Sequence, residues 1–261
     1  MNISLKNKKA IICGSTQGIG LATAEELAML GANCTLIARN ETALKDAVAK
    51  LDTSNGQHHN YLVADFSDTE NVKKIIENHV AKNDVHILIN NTGGPPPGPI
   101  IEATEESFLN TFKQHLICNQ VLTQAVVPSM KREGYGRIVN IISTSVRIPV
   151  ANLGVSNTIR GAVASWSKTM ANELGQFNIT VNNILPGYTK TGRLDSLIKN
   201  IAASKNKSIA QVENEMQNDI PMKRFGIASE VAAVVAFVAS PAASYLNGVN
   251  IQVDGGKIGA I

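Results

Sequence analysis

The chain has 261 residues, 44% of them hydrophobic and 17% charged, with 24 Lys and Arg against 21 Asp and Glu for a net charge of +3. That length suits one domain with a large core, 1–261, and the scattered basic residues argue against a nucleic-acid or acidic-membrane partner. Val231–Ala239, the most apolar stretch, is too short to span a bilayer, the N-terminal lysines precede no signal-peptide core, and Cys13, Cys34 and Cys118 lack C-x-x-C spacing, as expected of free thiols in a reducing cytosol.

The chain opens on an apolar run, Ala10–Cys13, followed by Gly14, Gly18 and Gly20 in a G-x-x-x-G-x-G turn that leads into a helix over Ile19–Leu30. Such a strand–turn–helix unit presents backbone N–H groups and the positive end of a helix dipole where a phosphate can sit. A tight turn alone would use the same glycines, but the strand–helix units behind it favour a nucleotide site. Asn33–Ala38 reads as a second strand. Asn40 fits an N-cap ahead of Leu44, Ala47, Val48 and Leu51 at helical spacing. His58 and His59 have no third ligand nearby and suggest a solvated loop, not a metal site.

Tyr61–Ala64 is a third strand, with Asp65 and Phe66 after it, and Ser67 with Glu70 fits a capping box before a helix bearing Val72, Ile75, Ile76 and Val80. Val85–Ile89 is apolar enough for a strand buried on both faces. The loop Asn90–Pro99 follows, then a long helix from about Thr104 to Lys131 with Phe108, Phe112 and Leu116 toward the core. Arg137–Ile142 is a fifth strand with Ser143 at its end. A helix over Leu153–Leu174 and a strand over Ile179–Leu185 lead to Pro186 and Gly187. Residues 190–225 are weaker in pattern and predict one or two mobile helices beside the substrate. A helix over Ser229–Ala239 and a strand over Val249–Val253 complete the alternation.

Strands alternating with helices through short connections require parallel pairing. The predicted fold is α/β, a doubly wound parallel sheet of about seven strands with helices on both faces, binding its ligand beyond the strand carboxyl ends. Gly14, Asp65, Asn91, Ser143 and Pro186 all fall at or just past such ends.

The segments CGSTQGIG, ADFSD, NNTGG, GRIVNIIS, TVNNILPGYTKT, PMKRFG and GVNIQVDGG run nearly end to end. Together they resemble the short-chain dehydrogenase/reductase family, nearest in pattern to its β-ketoacyl-acyl-carrier-protein-reductase-like members. The resemblance implies a Rossmann-type fold, a nicotinamide cofactor and hydride transfer to or from a small-molecule carbonyl or alcohol. It also implies a cytoplasmic homo-oligomer, tetramer or dimer. It assigns the pyrophosphate to Gly14, Gly18 and Gly20 with Ser15, Thr16, Gln17 and Ile19 between them. Asp65 and Phe66 would meet the adenine, Asn91 and Gly93 the ribose side, and Pro186, Gly187 and Thr189 the nicotinamide end. NAD-selective members carry an acid at the end of the second strand; this chain has Ala38 there, then Arg39, a donor suited to a 2′-phosphate. NADP(H) is favoured over NAD(H), with stacking of Arg39 on adenine as the alternative role.

The family's chemistry rests on a Ser, a Tyr, a Lys four residues later and a helical Asn. Ser143 matches the first. The ungapped register puts Ser156 in the Tyr position, Arg160 in the Lys position and His115 in the Asn position. A serine hydroxyl is a poor general acid near neutrality. Arg160 stays protonated but can still bind ribose hydroxyls. Tyr188 and His115 are the alternative proton sources. An imidazole titrates in the right range, although His115 also lies at helical spacing from Phe108 and Phe112, as a core residue would. Tyr61, Tyr135 and Tyr245 do not converge on the site. Halohydrin dehalogenases share the Arg but keep the Tyr and lose the glycine loop. Enoyl-reductase-like members space their Tyr and Lys farther apart, and no Tyr lies between Ser143 and Arg160. Two readings remain: an NADPH-dependent reductase with an altered proton path, or a nucleotide-binding family member serving as a binding or partner subunit without turnover.

Overall fold

In the computed structural model, which describes residues 1–259, the apolar runs pair as parallel strands and the amphipathic segments cover them. In chain order the first half reads β1 (Lys9–Cys13), α1 (Gly18–Met29), β2 (Asn33–Ala38), α2 (Glu41–Val48), β3 (Asn60–Val63), α3 (Thr69–Val80) and β4 (Ile87–Asn90). Then come α4 (Glu105–Phe112), α5 (Cys118–Glu133), β5 (Gly136–Ile141), α6 (Gly154–Leu174) and β6 (Ile179–Pro186). The last part holds β7 (Thr189–Lys190), α7 (Gly192–Lys205), α8 (Ile209–Asn218), β8 (Gly226–Ile227), α9 (Ala228–Ala239) and β9 (Asn250–Val253). The main sheet has seven strands in the order β3-β2-β1-β4-β5-β6-β9, every neighbouring pair parallel. The chain works outward from β1 to β3, then returns to pair β4 with β1. The ligand crevice of such a sheet opens where the order reverses, between the carboxyl ends of β1 and β4.

Strand residues alternate between two cores, because successive side chains leave opposite faces of a strand. Ile12, Leu36, Ile89 and Val139 pack on the side of α1 and α9. Ile11, Ile37, Leu88 and Ile138 pack on the side of α3 and α5. Both faces being covered, the strands carry near-continuous apolar sequences.

Four asparagines interrupt that pattern in register. Asn90, Asn140, Asn183 and Asn250 are direct partners across β4, β5, β6 and β9. The side-chain Nδ2 of Asn90 donates to Asn140 Oδ1 (2.8 Å), that of Asn140 to Asn183 Oδ1 (2.9 Å), and that of Asn183 to Asn250 Oδ1 (2.8 Å). Each amide pairs only when its neighbour is in register, so a slip of one residue would bury unpaired amides at about 1–3 kcal/mol each.

Two sequence expectations are corrected here. The cap of α3 is Asp68, whose side chain accepts from Asn71 N–H, while the hydroxyl and N–H of Ser67 both bind Asp65. The capping box of Ser67 and Glu70 therefore does not form. The long helix does run on from its Thr104 cap to Glu133, but Lys113–Ile117 forms a π turn between α4 and α5. The buried stripe runs through Thr111, His115, Cys118 and Leu122, and Phe112 is exposed instead of in the core. Residues 190–225 form two helices, α7 and α8, as the weaker pattern allowed. They fold as a flap with a core of their own, built from Leu194, Ile198, Ala202, Val212, Met216, Ile220 and Phe225 and fastened by the two-residue ladder of β7 and β8.

Candidate active site

A cleft of about 870 Å³ opens at the carboxyl edge of the sheet, and Gly14, Asp65, Asn91, Ser143 and Pro186 all line it. Its walls come from the loops after β1 to β6, from the start of α6 and from the flap. Of the other residues singled out in the sequence, Thr16, Gln17, Gly18, Ile19, Arg39, Phe66, Gly93, Ser156, Arg160, Gly187, Tyr188 and Thr189 also line it. Ser15, Gly20 and His115 do not form its wall; Ser15 and His115 are buried.

The glycine loop is held from beneath. Asn91 Nδ2 donates to the carbonyls of Cys13 and Gly14, both at 3.2 Å, and so ties the end of β4 to the end of β1 across the switch point. Gly14 has φ +58 and would set a Cβ 2.5 Å from Asn91 O. Gly20 would set one 2.2 Å from Gly14 O. Its role is close packing of α1 under the loop, not contact with a ligand, and Asn91 is as much a strut of the loop as a wall of the cleft. Thr16, Gln17, Gly18 and Ile19, in the loop and at the start of α1, line the cleft where a pyrophosphate site would need them.

At the far side of the loop, Arg39 follows β2, and Asp65 lies near enough for its charge to act on that carboxylate. Hydrogen bonds from the N–H and hydroxyl of Ser67, both to Oδ1, hold Asp65 below the usual carboxylate range, so it stays ionised. Ala38 leaves Arg39 without an adjoining acid in sequence, and Arg39 makes no ion pair among the described residues.

At the other end, Ser143 Oγ accepts from Ser145 N–H (3.1 Å) and caps the short 3₁₀ turn Thr144–Val146. Ser156 and Arg160 are one helical turn apart on α6, and Arg160 Nε donates to Ser156 Oγ (3.2 Å). Arg160 Nη1 donates to the carbonyls of Ile142 (2.7 Å) and Ile141 (3.2 Å) at the end of β5. Burial, and then the nearby charge of Arg193, push the Arg160 guanidinium down to about 10, still cationic at neutral pH.

His115 is placed by the π turn, and its Nδ1 lies 2.7 Å from Thr92 Oγ1. Burial, and then the charge of Arg160, push it down to about 3. The sequence expectation of an imidazole titrating near neutrality is corrected: the group is buried, neutral and without a partner at Nε2. Tyr188 packs edge-on against Phe225 (ring centroids 6.3 Å apart) with Lys257 over its ring, which makes it a joint between cleft and flap. Tyr135 donates its hydroxyl to Ala239 O, far from this edge. The three cysteines are free and buried, and no group of three His, Cys, Asp or Glu among the described residues could hold a metal ion. No helix of the described residues is long and apolar enough to cross a membrane.

Two contributions escaped the sequence reading. Arg193, at the start of α7, lines the cleft and donates to Pro95 O (2.6 Å), which joins the flap to the Pro-rich loop. That loop in turn pairs with the segment before α6 through a bridge between Gly98 and Leu153. A cation after a turn carries no signal in sequence, because only the fold of the flap brings it to Gly94 and Pro95.

The family model described as enoyl-(acyl carrier protein) reductase matches residues 14–257. The motifs by themselves resemble the β-ketoacyl-reductase-like branch more nearly. The NADPH-dependent reductase BacG of Bacillus subtilis is 32% identical over 264 residues, covering 98% of this chain and 100% of that one. The solved structure of YwfH, an NADPH-dependent reductase involved in bacilysin biosynthesis, superposes with a TM-score of 0.90 at 31% identity, covering 97% of this chain and 99% of that one. L-Sorbose reductase from Gluconobacter frateurii, solved with NADPH and L-sorbose, superposes with a TM-score of 0.93 at 29% identity over the whole of both chains. By its sheet order, its glycine loop and these matches, the chain belongs to the short-chain dehydrogenase/reductase family.

Proposed function

We propose that the chain is an NADPH-dependent oxidoreductase of a small carbonyl or alcohol compound, working with an altered set of active-site residues. The observation that carries this reading is the single cleft into which the glycine loop, Arg39, Ser143, Ser156 and Arg160 all open. The residues fit the cofactor. Gly14 and Gly20 let β1, α1 and Asn91 close tightly beneath the loop, and Arg39, which has Asp65 nearby but makes no ion pair among the described residues, lines the cleft where the 2′-phosphate would lie. When bound, the nicotinamide supplies or accepts the hydride.

The protein's part is to hold the substrate and stabilise the charge that develops on its oxygen. Ser143 already accepts from Ser145 N–H, and Ser156 accepts from Arg160 Nε, so each hydroxyl retains its own proton to donate toward a carbonyl oxygen. Arg160 adds a fixed positive field behind Ser156, in a partly dehydrated site where such a field is stronger than in water. The alkoxide formed on reduction is far more basic than any group in the cleft. In this proposal it takes its proton from solvent, with no phenol required.

A second reading, a nucleotide-binding subunit without turnover, draws support from Arg160, which is engaged by two main-chain carbonyls, and from the neutral His115. Fluorescence titration of the purified protein with NADPH and with NADH is the first test. Tight NADPH binding with weak NADH binding is expected, followed by NADPH oxidation with at least one carbonyl compound. Binding of neither nucleotide would overturn the reductase reading, and tight binding with no turnover across a broad carbonyl panel would leave the binding-subunit reading in its place.

A further inference from the structure

Arg160 and Arg193 come from different elements yet converge on one spot. A Cβ built on Gly94 would lie 3.5 Å from Arg160 Nη2 and 3.2 Å from Arg193 Nη2, near enough for one anion to touch both. Neither guanidinium has a carboxylate partner among the described residues. Asp65 is the one acid on the cleft wall, and it stands near Arg39, at the far side of the glycine loop. Arg160 uses Nε and Nη1 on Ser156, Ile141 and Ile142, which leaves Nη2 uncommitted. Arg193 uses one bond of Nη2 on Pro95 O and keeps the rest of its fork.

Two like charges held together without an anion repel one another, and the repulsion shows in the lowering of Arg160 by Arg193. A ligand carrying negative charge would relieve that repulsion and accept charge-assisted hydrogen bonds from both guanidinium groups. The cofactor's phosphates already have donors elsewhere: the glycine loop with α1, and Arg39. The same cleft is also lined by the aliphatic side chains of Val150, Leu153, Leu194 and Leu197.

We infer that Arg160 and Arg193 form a carboxylate subsite, so that the substrate is an oxo acid or hydroxy acid with an aliphatic body. The inference rests on the reductase reading for the carbonyl beside Ser143 and Ser156, but the anion subsite can be tested without turnover. Calorimetry on the protein, with and without NADPH, would compare 4-methylpentanoate with the isosteric 4-methylpentanamide. The acid is expected to bind roughly ten- to a hundredfold more tightly, the span of one charge-assisted hydrogen-bonded contact. Arg193→Gln should remove most of that preference, and Arg193→Lys should restore part of it, while NADPH affinity holds. Equal binding of acid and amide would overturn the subsite. So would an Arg193→Gln variant that weakens NADPH and leaves the acid-to-amide ratio intact, since the arginine would then serve the cofactor. In parallel, NADPH oxidation would be followed with 4-methyl-2-oxopentanoate and with its methyl ester. A preference for the acid in kcat/KM supports the proposal. If neither compound is reduced although the acid still binds preferentially, the reductase reading falls and the anion site stands.

Discussion

Ser143 has its lone pair fixed by Ser145 N–H, and in the proposed reaction its own proton would be donated to a developing oxyanion. Ser143→Ala removes that donor and leaves the cap of a three-residue turn as the only structural loss. Turnover is expected to fall by about 10²- to 10³-fold, as for other oxyanion donors, with NADPH affinity almost unchanged. Equal activity in the variant would remove Ser143 from the mechanism. His115 calls for a different measurement. Its imidazole is lowered from 6.5 to about 3 in the folded state, so between those pH values the unfolded chain binds the extra proton and the folded chain does not. Stability therefore rises with pH across that window and is lost as pH falls from about 6.5 toward 3. His115→Asn should show a smaller drop in thermal midpoint between pH 7 and pH 4.5 than the native protein, and should leave the activity profile between pH 6 and 8 without a changed limb. A shifted limb would restore His115 as a proton carrier.

At the scale of elements, the β1–α1 turn owes its shape to absent side chains. Gly20→Ala would place a methyl group 2.2 Å from Gly14 O, so the phosphate loop or α1 must move. Such overpacking costs about 1–3 kcal/mol, and NADPH affinity is expected to fall at least about tenfold in a fluorescence titration. Unaltered affinity would mean that the loop does not meet the phosphates. The elements legible in the sequence were those whose periodicity is local. The strand Asn33–Ala38, the cap Asn40 and the apolar runs of the sheet announce themselves within ten residues. Where the structure departs from the local pattern, the deciding contact lies outside the window. Asp65 draws Ser67 away from capping, and α4 turns Thr111 rather than Phe112 toward its packed neighbours. The asparagine ladder could not be read at all, since each member looks like a polar interruption until four strands are aligned. At the site, the residues after strand ends were legible because topology alone sends them to one edge. The pairing of Arg160 with Arg193 was not, because α6 and the flap meet only in three dimensions.

At the scale of the whole molecule, two cores share the sheet and a third stands apart. The flap's apolar cluster is made entirely of residues from 188 to 225, its ends are joined by the short β7–β8 ladder, and its ties to the rest include Met222 N–H to Gly255 O (3.3 Å), Lys257 with Asp219 (3.3 Å) and Arg193 to Pro95 O. Segments joined by few buried contacts open locally at a fraction of the global free energy. Amide exchange in α7 and α8 is therefore expected to run at least roughly tenfold faster than in β4, β5 and β6, and to slow when an acid ligand bridges Arg160 and Arg193. Uniform protection across flap and sheet would show that the whole chain opens as one unit. The separate core also bears on descent. Changes confined to α7 and α8 add to those in the sheet with little coupling, because the two sets share few neighbours. A lineage could thus revise the flap wall of the cleft at little cost to the sheet, whereas a change in the asparagine ladder or the glycine loop strains partners on several strands at once.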